Sequence, residues 1–486
     1  MGRIDFINIL SNPVLIVSTV TFLVHVLGIV NAAHAVMKVR SSQGVIAWAI
    51  SLITFPWLAI PLYWILGRNK FHGYAEALRL VYAQHDKLVR EAYSEIIEFK
   101  ATPPGRLARL QLLAEAFTEI PFTSGNATEL LIDGKQTYGA MLAAIASAKN
   151  YILMQFYIVN DDKAGNDFKE ALIAKANQGV RIYFLYDEIG SNKLSRSYII
   201  SLRKNGIQVS AFHTTKGKGN RFQINFRNHR KILIIDGEKG FVGGLNIGDE
   251  YLGKNPRLSP WRDTHMMMQG PTVQCLQRSF LQDWYWATGK VLEVNWDVKA
   301  NQEANEIAFV LPTGPADQLP ACNLFFVSAI NQAQTRLWIA SPYFVPDEST
   351  LTALKLAAMR GVDVRIILPN RPDHLFVYLC SFSYYKQLQA VGIKLYRYRS
   401  GFMHQKIILI DQEMAGVGTV NLDNRSFFLN FEIMGFVVDS SFVKRVEEML
   451  LDDMAVSCTI DLSEYDRKPL WFKLAVRVSR LLTPLL

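Results

Sequence analysis

Two stretches of the chain repeat one spacing of histidine, lysine and aspartate. The pattern is His-x-Lys-x4-Asp, and its members are His229, Lys231, Asp236, His404, Lys406 and Asp411. Four aliphatic residues follow the lysine in both copies, and a branched apolar run with a period-two start is typical of a buried strand. The histidine and the lysine then lie on one side of the start of the strand. Two such strands side by side would bring two imidazoles and two ammonium groups together.

These side chains suit chemistry on a phosphodiester. The reaction needs a nucleophile that attacks phosphorus, an acid that protonates the leaving oxygen, and cations beside the equatorial oxygens. His229 and His404 can provide the nucleophile and the acid, and Lys231 and Lys406 can provide the cations. No carboxylate cluster with the spacing of metal ligands accompanies the motifs, so we predict catalysis without a metal or another cofactor.

The residues that follow the two motifs also match. Asn246 ends the first flank, Gly-Gly-Leu-Asn, and Asn421 ends the second, Gly-Thr-Val-Asn; each asparagine follows its histidine by 17 residues. The two carboxamides can donate hydrogen bonds to the same phosphate oxygens. This arrangement resembles the phospholipase D superfamily, whose signature is His-x-Lys-x4-Asp followed by a small-residue turn and asparagine.

The resemblance implies a covalent phosphohistidine intermediate. By analogy with relatives in which the N-terminal motif attacks, we predict that His229 is the nucleophile. His404 then acts first as the general acid and afterwards as the general base. The resemblance also implies that the motif aspartates, Asp236 and Asp411, have a supporting, structural role.

Two downstream carboxylates are candidate partners of the histidines. A histidine nucleophile must be neutral at one nitrogen and held at the other, which calls for a carboxylate. Asp263 follows His229 by 34 residues, and Glu432 follows His404 by 28. In the superfamily an acidic residue at about this place orients the motif histidine, so we assign this role to Asp263 and Glu432. The alternatives are a surface carboxylate at Asp263 and a strand-edge ion pair at Glu432.

Aromatic strings and a basic loop also lie near the motifs. Residues 155–157 and 341–346 follow strands expected to line a cleft, but their aromatic side chains are more typical of core than of substrate contacts. The second string also resembles bacterial cardiolipin synthases. The basic loop 216–221, before His229, is equally compatible with a solvated surface and with a phosphate-attracting lip.

The N-terminal region is strongly apolar. Two segments there contain no Asp, Glu, Lys or Arg, and each is long enough to cross a bilayer as a helix, which needs about 20 residues. We predict spans near 13–36 and 44–66, the second kinked by Pro56 and Pro61. This hairpin resembles that of bacterial cardiolipin synthases. A cleaved signal peptide is less consistent with the sequence, because the first apolar region is longer than the ~7–15 apolar residues usual in signal peptides.

Polar and charged residues around the spans indicate packing and orientation. Three polar residues in the first span, His25, Asn31 and His34, are interpreted as packing groups of the hairpin. Basic residues on the side of the large domain (Arg3, Arg68, Lys70, Arg79 and Lys87) outnumber those in the intervening loop (Lys38 and Arg40). The positive-inside rule therefore predicts a multi-pass protein of the bacterial inner membrane with a cytoplasmic catalytic domain.

Composition limits the partners. The 486 residues are 50% hydrophobic and 20% charged, which predicts a folded core. A net charge of +9 is compatible with nucleic acid or anionic lipid, and the predicted spans favour lipid over nucleic acid. The four cysteines are far apart, which gives no support for zinc or a disulfide framework. The oligomeric state stays open.

The α/β pattern is repeated along the chain. Strands predicted near 151–159 and 180–186 and their helices correspond to strands near 337–340 and 362–368 in a second half. The fold class is therefore α/β: two similar phospholipase D-like domains with mainly parallel central strands, packed as a pseudo-dimer after a two-helix transmembrane hairpin. The predicted divisions are a hairpin at 1–70, a helical connecting segment at 71–120, the two domains at 121–300 and 301–465, and an amphipathic tail at 466–486.

The tail and the motifs together suggest the substrate. Residues 470–482 place basic side chains on one helical face and Trp471 and aliphatic residues largely elsewhere, as in an interfacial helix; docking on the protein core is the alternative. The resemblance to bacterial cardiolipin synthases implies transfer of a phosphatidyl group between two phosphatidylglycerol molecules, with release of glycerol. The alternatives are a hydrolytic phospholipase D, a transferase with another acceptor, a membrane-tethered nuclease and a non-enzymatic lipid-binding scaffold.

Overall fold

The structure is a computed structural model that describes residues 13–39, 42–67, 70–216, 220, 224–301 and 303–483. Features named above that lie outside these residues are Arg3, Arg40, Arg68, most of the basic loop 216–221 and the last three residues of the tail. The chain forms two compact units. The smaller contains Met1–His72 and Thr215–Phe226, and the larger contains Gly73–Thr214 and Arg227–Leu486.

The described part of the smaller unit is mainly helical. Its helices are α1 (Pro13–Lys38), α2 (Ser42–Thr54) and α3 (Pro56–Leu66). Helix α1, with 26 residues, is long and apolar enough to cross a membrane. The second predicted span, 44–66, is instead two shorter helices. The helix breaks because Phe55 leaves helical geometry, with φ −131°, and Pro56 has no backbone N–H.

Close packing holds these helices together. A Cβ atom on Gly28 would lie 2.2 Å from the carbonyl oxygen of Leu52, so α1 and α2 approach closely only because Gly28 has no side chain. Asn31 donates to a carbonyl one turn earlier at 2.8 Å, and His34 Nδ1 lies 2.7 Å from the hydroxyl of Tyr63. Of the polar residues of the first predicted span, His34 thus contacts α3, whereas the side chain of Asn31 bonds within α1.

The larger unit is a mixed α/β structure. It begins with helices α4 (Tyr74–Gln84), α5 (Asp86–Ile97) and α6 (Leu107–Thr118). The first half follows with β1 (Thr123–Ile132), α7 (Asp133–Ser147), β2 (Tyr151–Phe156), α8 (Lys163–Ala176), β3 (Arg181–Asp187), α9 (Arg196–Lys204), β4 (Gln208–Phe212), β5 (Arg227–Asn228), β6 (Ile232–Ile235), β7 (Lys239–Gly243), a 3-10 turn (Asp249–Leu252), β8 (Trp261–Arg262), β9 (Thr264–Gln269) and α10 (Thr272–Thr288).

The second half repeats the main elements and adds two C-terminal helices. It contains β10 (Glu306–Thr313), α11 (Ala321–Gln332), β11 (Arg336–Ala340), β12 (Phe344–Val345), α12 (Glu348–Met359), β13 (Asp363–Pro369), α13 (Leu375–Gln389), β14 (Lys394–Tyr398), β15 (Phe402–Met403), β16 (Ile407–Ile410), β17 (Met414–Gly418), β18 (Leu422–Asp423), α14 (Asn424–Phe428), β19 (Asn430–Val438), α15 (Ser440–Ala455), β20 (Ser457–Thr459), α16 (Leu462–Asp466) and α17 (Leu470–Arg480).

One sheet runs through both halves. Its order is β20-β14-β13-β11-β16-β17-β19-β10-β1-β9-β7-β6-β2-β3-β4, with β5 paired to β19. Along this path only β2-β3-β4 and β11-β13-β14 pair in parallel. The prediction of mainly parallel central strands is therefore wrong: parallel strands lie towards the ends and antiparallel strands form the centre. Connections of three residues join β6 to β7 and β16 to β17, and so short a turn allows only an antiparallel pair.

The strands that follow the two motif lysines are not neighbours. Six strands separate β6 from β16 in the sheet, so the expected side-by-side arrangement is wrong. The short strands β5 and β15, which precede the motifs, leave their own halves and pair with β19 and β8. These crossings bring the two motifs together.

Candidate active site

Each histidine is attached to the backbone of the other half. His229 N–H donates to the carbonyl of Phe431 at 2.8 Å and thereby extends the parallel pairing of β5 with β19. His404 N–H donates to the carbonyl of Arg262 at 2.8 Å and extends the pairing of β15 with β8. In both places, the next residue along the partner strand is one of the two predicted carboxylates.

The carboxylates contact the histidines crosswise. His229 Nδ1 lies 2.8 Å from Glu432 Oε2, and His404 Nδ1 lies 2.8 Å from Asp263 Oδ2. Asp263 is fully buried, so it is not a surface carboxylate. In the sequence each carboxylate follows the motif of its own half, whereas in the structure each contacts the histidine of the other half.

The ionisation of these pairs leaves two neutral imidazoles. Burial alone would raise the pKa of Asp263 and of Glu432, but the facing histidines and nearby lysines hold both below the usual range. Burial, together with the charge of the neighbouring lysine, lowers the pKa of His229 and of His404 to about 4. Because an ionised carboxylate only accepts hydrogen bonds, each Nδ1 carries the proton and each Nε2 has a lone pair. Both imidazoles are thus suited to nucleophilic or base chemistry at neutral pH.

The two motif lysines are buried beside the histidines. Lys231 Nζ donates to the carbonyl of His229 at 2.7 Å, and Lys406 Nζ donates to the carbonyl of His404. Burial lowers the pKa of Lys406 to about 8. Burial and the charge of Lys406 lower the pKa of Lys231 to about 7. Since Lys406 also acts on His229, the two motifs share one electrostatic environment.

The motif aspartates lie at the opposite ends of β6 and β16 and bind backbone. Asp236 accepts backbone N–H groups at 2.7, 2.7 and 2.8 Å from Lys149 and Asn150, which precede β2, and from Tyr151, its first residue. Asp411 accepts the equivalent groups at the start of β11, from Gln334, Thr335 and Arg336. Both aspartates have positive φ, 56° and 53°, at the turn that follows the strand. They connect strands and do not contact the histidines.

The two asparagines differ. Asn246 Oδ1 accepts the N–H of Ile158 at 3.0 Å, and its Nδ2 donates to the hydroxyl of Tyr251 at 3.1 Å, so loop contacts occupy this carboxamide. Asn421 is buried, but its Oδ1 has no hydrogen-bond partner among the described residues. Because a carboxamide oxygen only accepts hydrogen bonds, a phosphate contact of either asparagine would have to come from Nδ2, and Nδ2 of Asn246 already donates to Tyr251.

Aromatic rings flank both histidines. The ring of Tyr157 lies 5.0 Å from that of His229, and the rings of Trp261 and Tyr343 lie 5.1 and 6.4 Å from that of His404. Tyr157 and Tyr343 belong to the two strings interpreted as core. Both tyrosines instead lie beside the motif histidines.

Comparison with known proteins identifies the family. The family described as "Cardiolipin synthase, PLD-like domain" matches residues 141–284 and 326–454, which include both motifs. Cardiolipin synthase A of Pseudomonas fluorescens (strain SBW25) is 45% identical over 464 residues, covering 95% of this chain and 97% of that protein. Cardiolipin synthase A of Pseudomonas aeruginosa (strain LESB58) is 45% identical over 472 residues, covering 95% of each. This chain belongs to the cardiolipin synthase family.

A solved structure shows the same fold. Phosphatidylserine synthase of Haemophilus influenzae Rd KW20 is similar with a TM-score of 0.59 and 15% identity, covering 78% of this chain and 100% of that one. At this identity the likeness concerns the fold alone. The family and this likeness confirm a phospholipase D-like mixed α/β fold, and here an apolar helix, α1, precedes it.

Sequence reasoning missed two buried aspartates that stabilise the site of this cardiolipin synthase family member. Arg230, between the first histidine and lysine, donates to both carboxylate oxygens of Asp283 at 2.9 Å. Gln405, the corresponding residue of the second motif, donates to Asp453 at 2.6 Å, and Arg262 donates to the same carboxylate at 2.7 Å. Asp283 lies on α10 and Asp453 lies on α15. The available signal was a lone carboxylate within an amphipathic helix, and such residues are usually solvent-exposed.

A close approach of Asp263 explains why a glycine, Gly244, stands in the small-residue turn after the first motif. A Cβ atom on Gly244 would lie 2.0 Å from Asp263 Oδ1, the carboxylate that holds His404. Any side chain at this position would displace the carboxylate or the turn. Gly244 therefore provides the space in which Asp263 reaches across to the other half.

Proposed function

We propose that this chain is a cardiolipin synthase. It transfers a phosphatidyl group from one phosphatidylglycerol to the terminal hydroxyl of a second and releases glycerol. The observation that carries the proposal is the crossed pair of buried carboxylate–histidine contacts, found in a chain whose cardiolipin synthase A relatives are 45% identical over 95% of its length.

The first step forms the covalent intermediate. His229 Nε2 attacks phosphorus, a P–N bond forms, and the P–O bond to the headgroup glycerol breaks. His404, protonated once the anionic phosphodiester lies beside it, gives its proton to the leaving oxygen, so that glycerol departs neutral. Lys231 and Lys406 compensate the charge of the non-bridging oxygens, and Asn421 donates to the same oxygens.

The second step forms the product. The terminal hydroxyl of the second phosphatidylglycerol loses its proton to His404 and attacks phosphorus. A P–O bond forms and the P–N bond breaks, which restores His229 with its lone pair. Glu432 and Asp263 keep each imidazole in the tautomer that presents Nε2, while Asp236 and Asp411 maintain the strand connections. The steps require only side chains of this chain and the two lipids.

The membrane elements support a lipid substrate. In the proposed arrangement, the apolar residues 13–36 and 44–66 form a transmembrane hairpin at 1–70, and the helical segment 71–120 connects it to two domains, 121–300 and 301–465. These domains form a pseudo-dimer on the cytoplasmic side of the bacterial inner membrane. The repeated strand order on either side of the β10–β1 pair supports this division.

The C-terminal helix supports a membrane-facing surface. One side of α17 packs on the protein, because Val476 is fully buried and the ring of Phe472 lies 5.3 Å from that of Phe382. The other side exposes apolar residues, among them Trp471 and Leu474. This combination suits an interfacial helix that is docked on the catalytic domain and also contacts lipid.

The products from phosphatidylglycerol test the proposal. Purified full-length protein is incubated with phosphatidylglycerol in mixed micelles, and the lipids and the released headgroup are resolved. The proposal expects cardiolipin and glycerol in equal amounts. Phosphatidic acid without cardiolipin would indicate a hydrolytic phospholipase D. No lipid turnover together with cleavage of DNA would indicate a nuclease, and either result would overturn the proposal.

A further inference from the structure

Two large apolar side chains are exposed at the start of helix α13. Leu375 is 61% exposed, and the next residue, Phe376, is 57% exposed. Single exposed apolar residues are ordinary on a protein surface, whereas a continuous apolar patch indicates a partner or a membrane. The neighbours of these two side chains decide between the two cases.

Two ring contacts connect the start of α13 to the second motif. The ring of His374, the residue before Leu375, lies 5.7 Å from that of Tyr343. The ring of Tyr343 in turn lies 6.4 Å from that of His404. The hydroxyl of Tyr343 also donates to Asp373, which precedes His374. Leu375 therefore directly follows the residues that border the active site on the side of His404.

Helix α17 covers the neighbouring part of α13. The hydroxyl oxygen of Thr483, just after α17, lies 3.6 Å from Sγ of Cys380, which is fully buried. Phe376 precedes Cys380 by four residues, so both side chains lie on one face of α13. Phe376 is exposed on the face that α17 covers farther along. Leu481, near the same end of α17, is also exposed, so the exposed apolar residues of the two helices belong to neighbouring parts of one surface.

Basic residues accompany this surface at the edge of the sheet. The N–H of Asn370 donates to the carbonyl of Tyr398 at 3.2 Å, which brings the ends of β13 and β14 together. Arg371 and Arg399 are the next residues of the two segments, and both are exposed. Exposed apolar side chains beside basic ones suit the surface of a bilayer that contains anionic lipid.

We propose that Leu375 and Phe376 enter the membrane beside the active site and that the acyl chains of the phospholipid pass along them to and from His404. This inference rests on the proposed function in one respect, that the substrate is a phospholipid. The reacting phosphate must come within about 3–3.5 Å of the imidazole, while the acyl chains attached to it avoid water.

A small cavity directs the acyl chains to the outside of α13. The space between Tyr343 and the start of α13 has a volume of about 20 Å³, which is room for about one water molecule. An acyl chain that passes Tyr343 cannot enter the protein there and must lie against the outer surface. Leu375 and Phe376 provide an apolar surface at this place.

Substrates with different acyl chains test the role of Leu375 and Phe376. Full-length protein in phosphatidylcholine vesicles receives either long-chain phosphatidylglycerol, which resides in the bilayer, or dibutanoyl phosphatidylglycerol, which dissolves in water, and release of glycerol is measured. In Leu375→Ser/Phe376→Ser, the rate with the long-chain lipid should fall by about 10-fold or more, because two apolar contacts are lost. The rate with the water-soluble lipid should stay near that of wild type. Leu356→Ser/Met359→Ser, at exposed apolar positions of α12, is the matched control and should change neither rate.

A spin label measures entry into the membrane without relying on turnover. The label is attached to Phe376→Cys or, as the control, to Met359→Cys. Cys458 is replaced by serine in both proteins, since the other three cysteines are buried. Oxygen, which concentrates in the bilayer, should relax the label of Phe376→Cys more strongly than a water-soluble nickel complex does. The label of Met359→Cys should show the reverse.

The outcomes separate this inference from the proposed function. Equal losses with both lipids, or no loss with either, in Leu375→Ser/Phe376→Ser would overturn the inference. A label on Phe376→Cys that responds mainly to the nickel complex would overturn it as well. Wild-type protein that releases glycerol but makes phosphatidic acid in place of cardiolipin would overturn the proposed function, whereas the two rates and the spin label would still decide the inference.

Discussion

His229 and Glu432 are 203 positions apart in the chain, and their side chains meet at 2.8 Å in the protein interior. The contact exists because β5 leaves the first half and pairs with the start of β19. His404 of the second half and Asp263 of the first half meet at the same distance. Neither half therefore contains a complete carboxylate–histidine pair, and both halves must fold before either imidazole is oriented.

The crossed contacts predict distinct effects of the two carboxylates. Glu432→Gln keeps the volume of the side chain but removes the charge that holds His229, so formation of the covalent intermediate should slow by about 100-fold or more. Asp263→Asn should instead slow the steps in which His404 transfers a proton. Single-turnover measurements of intermediate formation and decay distinguish the two. Indistinguishable effects of both variants on every step would contradict this division of roles.

The buried lysines predict the pH dependence of kcat/KM, which reports the free protein. Burial holds the pKa of His229 near 4, so this nucleophile is neutral throughout the physiological range. The pKa of Lys231 is about 7 and that of Lys406 about 8, so both ammonium groups lose protons as pH rises through 7 and 8. We expect kcat/KM to fall as pH rises through 7 and 8, and to fall again as pH drops through about 4. A constant value from pH 6 to pH 10 would contradict the assigned lysine environments.

The same burial predicts a gain in stability without Lys231. Because the folded-state pKa of this lysine is below its unfolded value, the unfolded chain binds more protons between about pH 7 and pH 10, and stability rises with pH across that window. Lys231→Met should therefore be more stable than wild type at pH 6, by about 1–3 kcal/mol, because the wild-type protein must then bury a charged ammonium, and the variant should be inactive. The difference should shrink towards pH 10. Thermal unfolding of both proteins in detergent measures this, with Lys204→Met as an exposed control.

The motif aspartates should matter for stability more than for chemistry. Asp236 accepts three backbone N–H groups and does not contact either histidine. Asp236→Asn should lower the free energy of unfolding by about 1–3 kcal/mol, while turnover per folded molecule stays within a few-fold of wild type. The exposed Asp167→Asn is the matched control. Loss of turnover without loss of stability would instead give Asp236 a direct part in the reaction.

The sequence predicted the reacting groups because local signals carry them. Spacing identifies both His-x-Lys pairs, and the order of strands and helices around them follows from apolar periodicity and glycine stops. The orienting carboxylates, Asp263 and Glu432, could be named from the family resemblance. The crossed contacts of these carboxylates could not be predicted, because the contacts depend on how two short strands, β5 and β15, pair with strands far away in the chain.

Two other differences between the predictions and the structure also have local causes. Asp283 and Asp453 give only a weak signal in the sequence, because a buried carboxylate on a helix looks like an exposed one until its partner is known. The second predicted span contains a proline whose effect was expected to be a kink. At Phe55 and Pro56 the helix breaks completely.

The identity of the labelled residue tests the central claim most directly. The protein is mixed briefly with phosphatidylglycerol labelled at phosphorus, denatured at neutral pH to preserve the P–N bond, and digested, and the labelled peptide is sequenced. We predict the label on the peptide that contains His229, with none in His229→Ala. Label on the peptide that contains His404, or turnover to cardiolipin without any labelled histidine, would contradict the account.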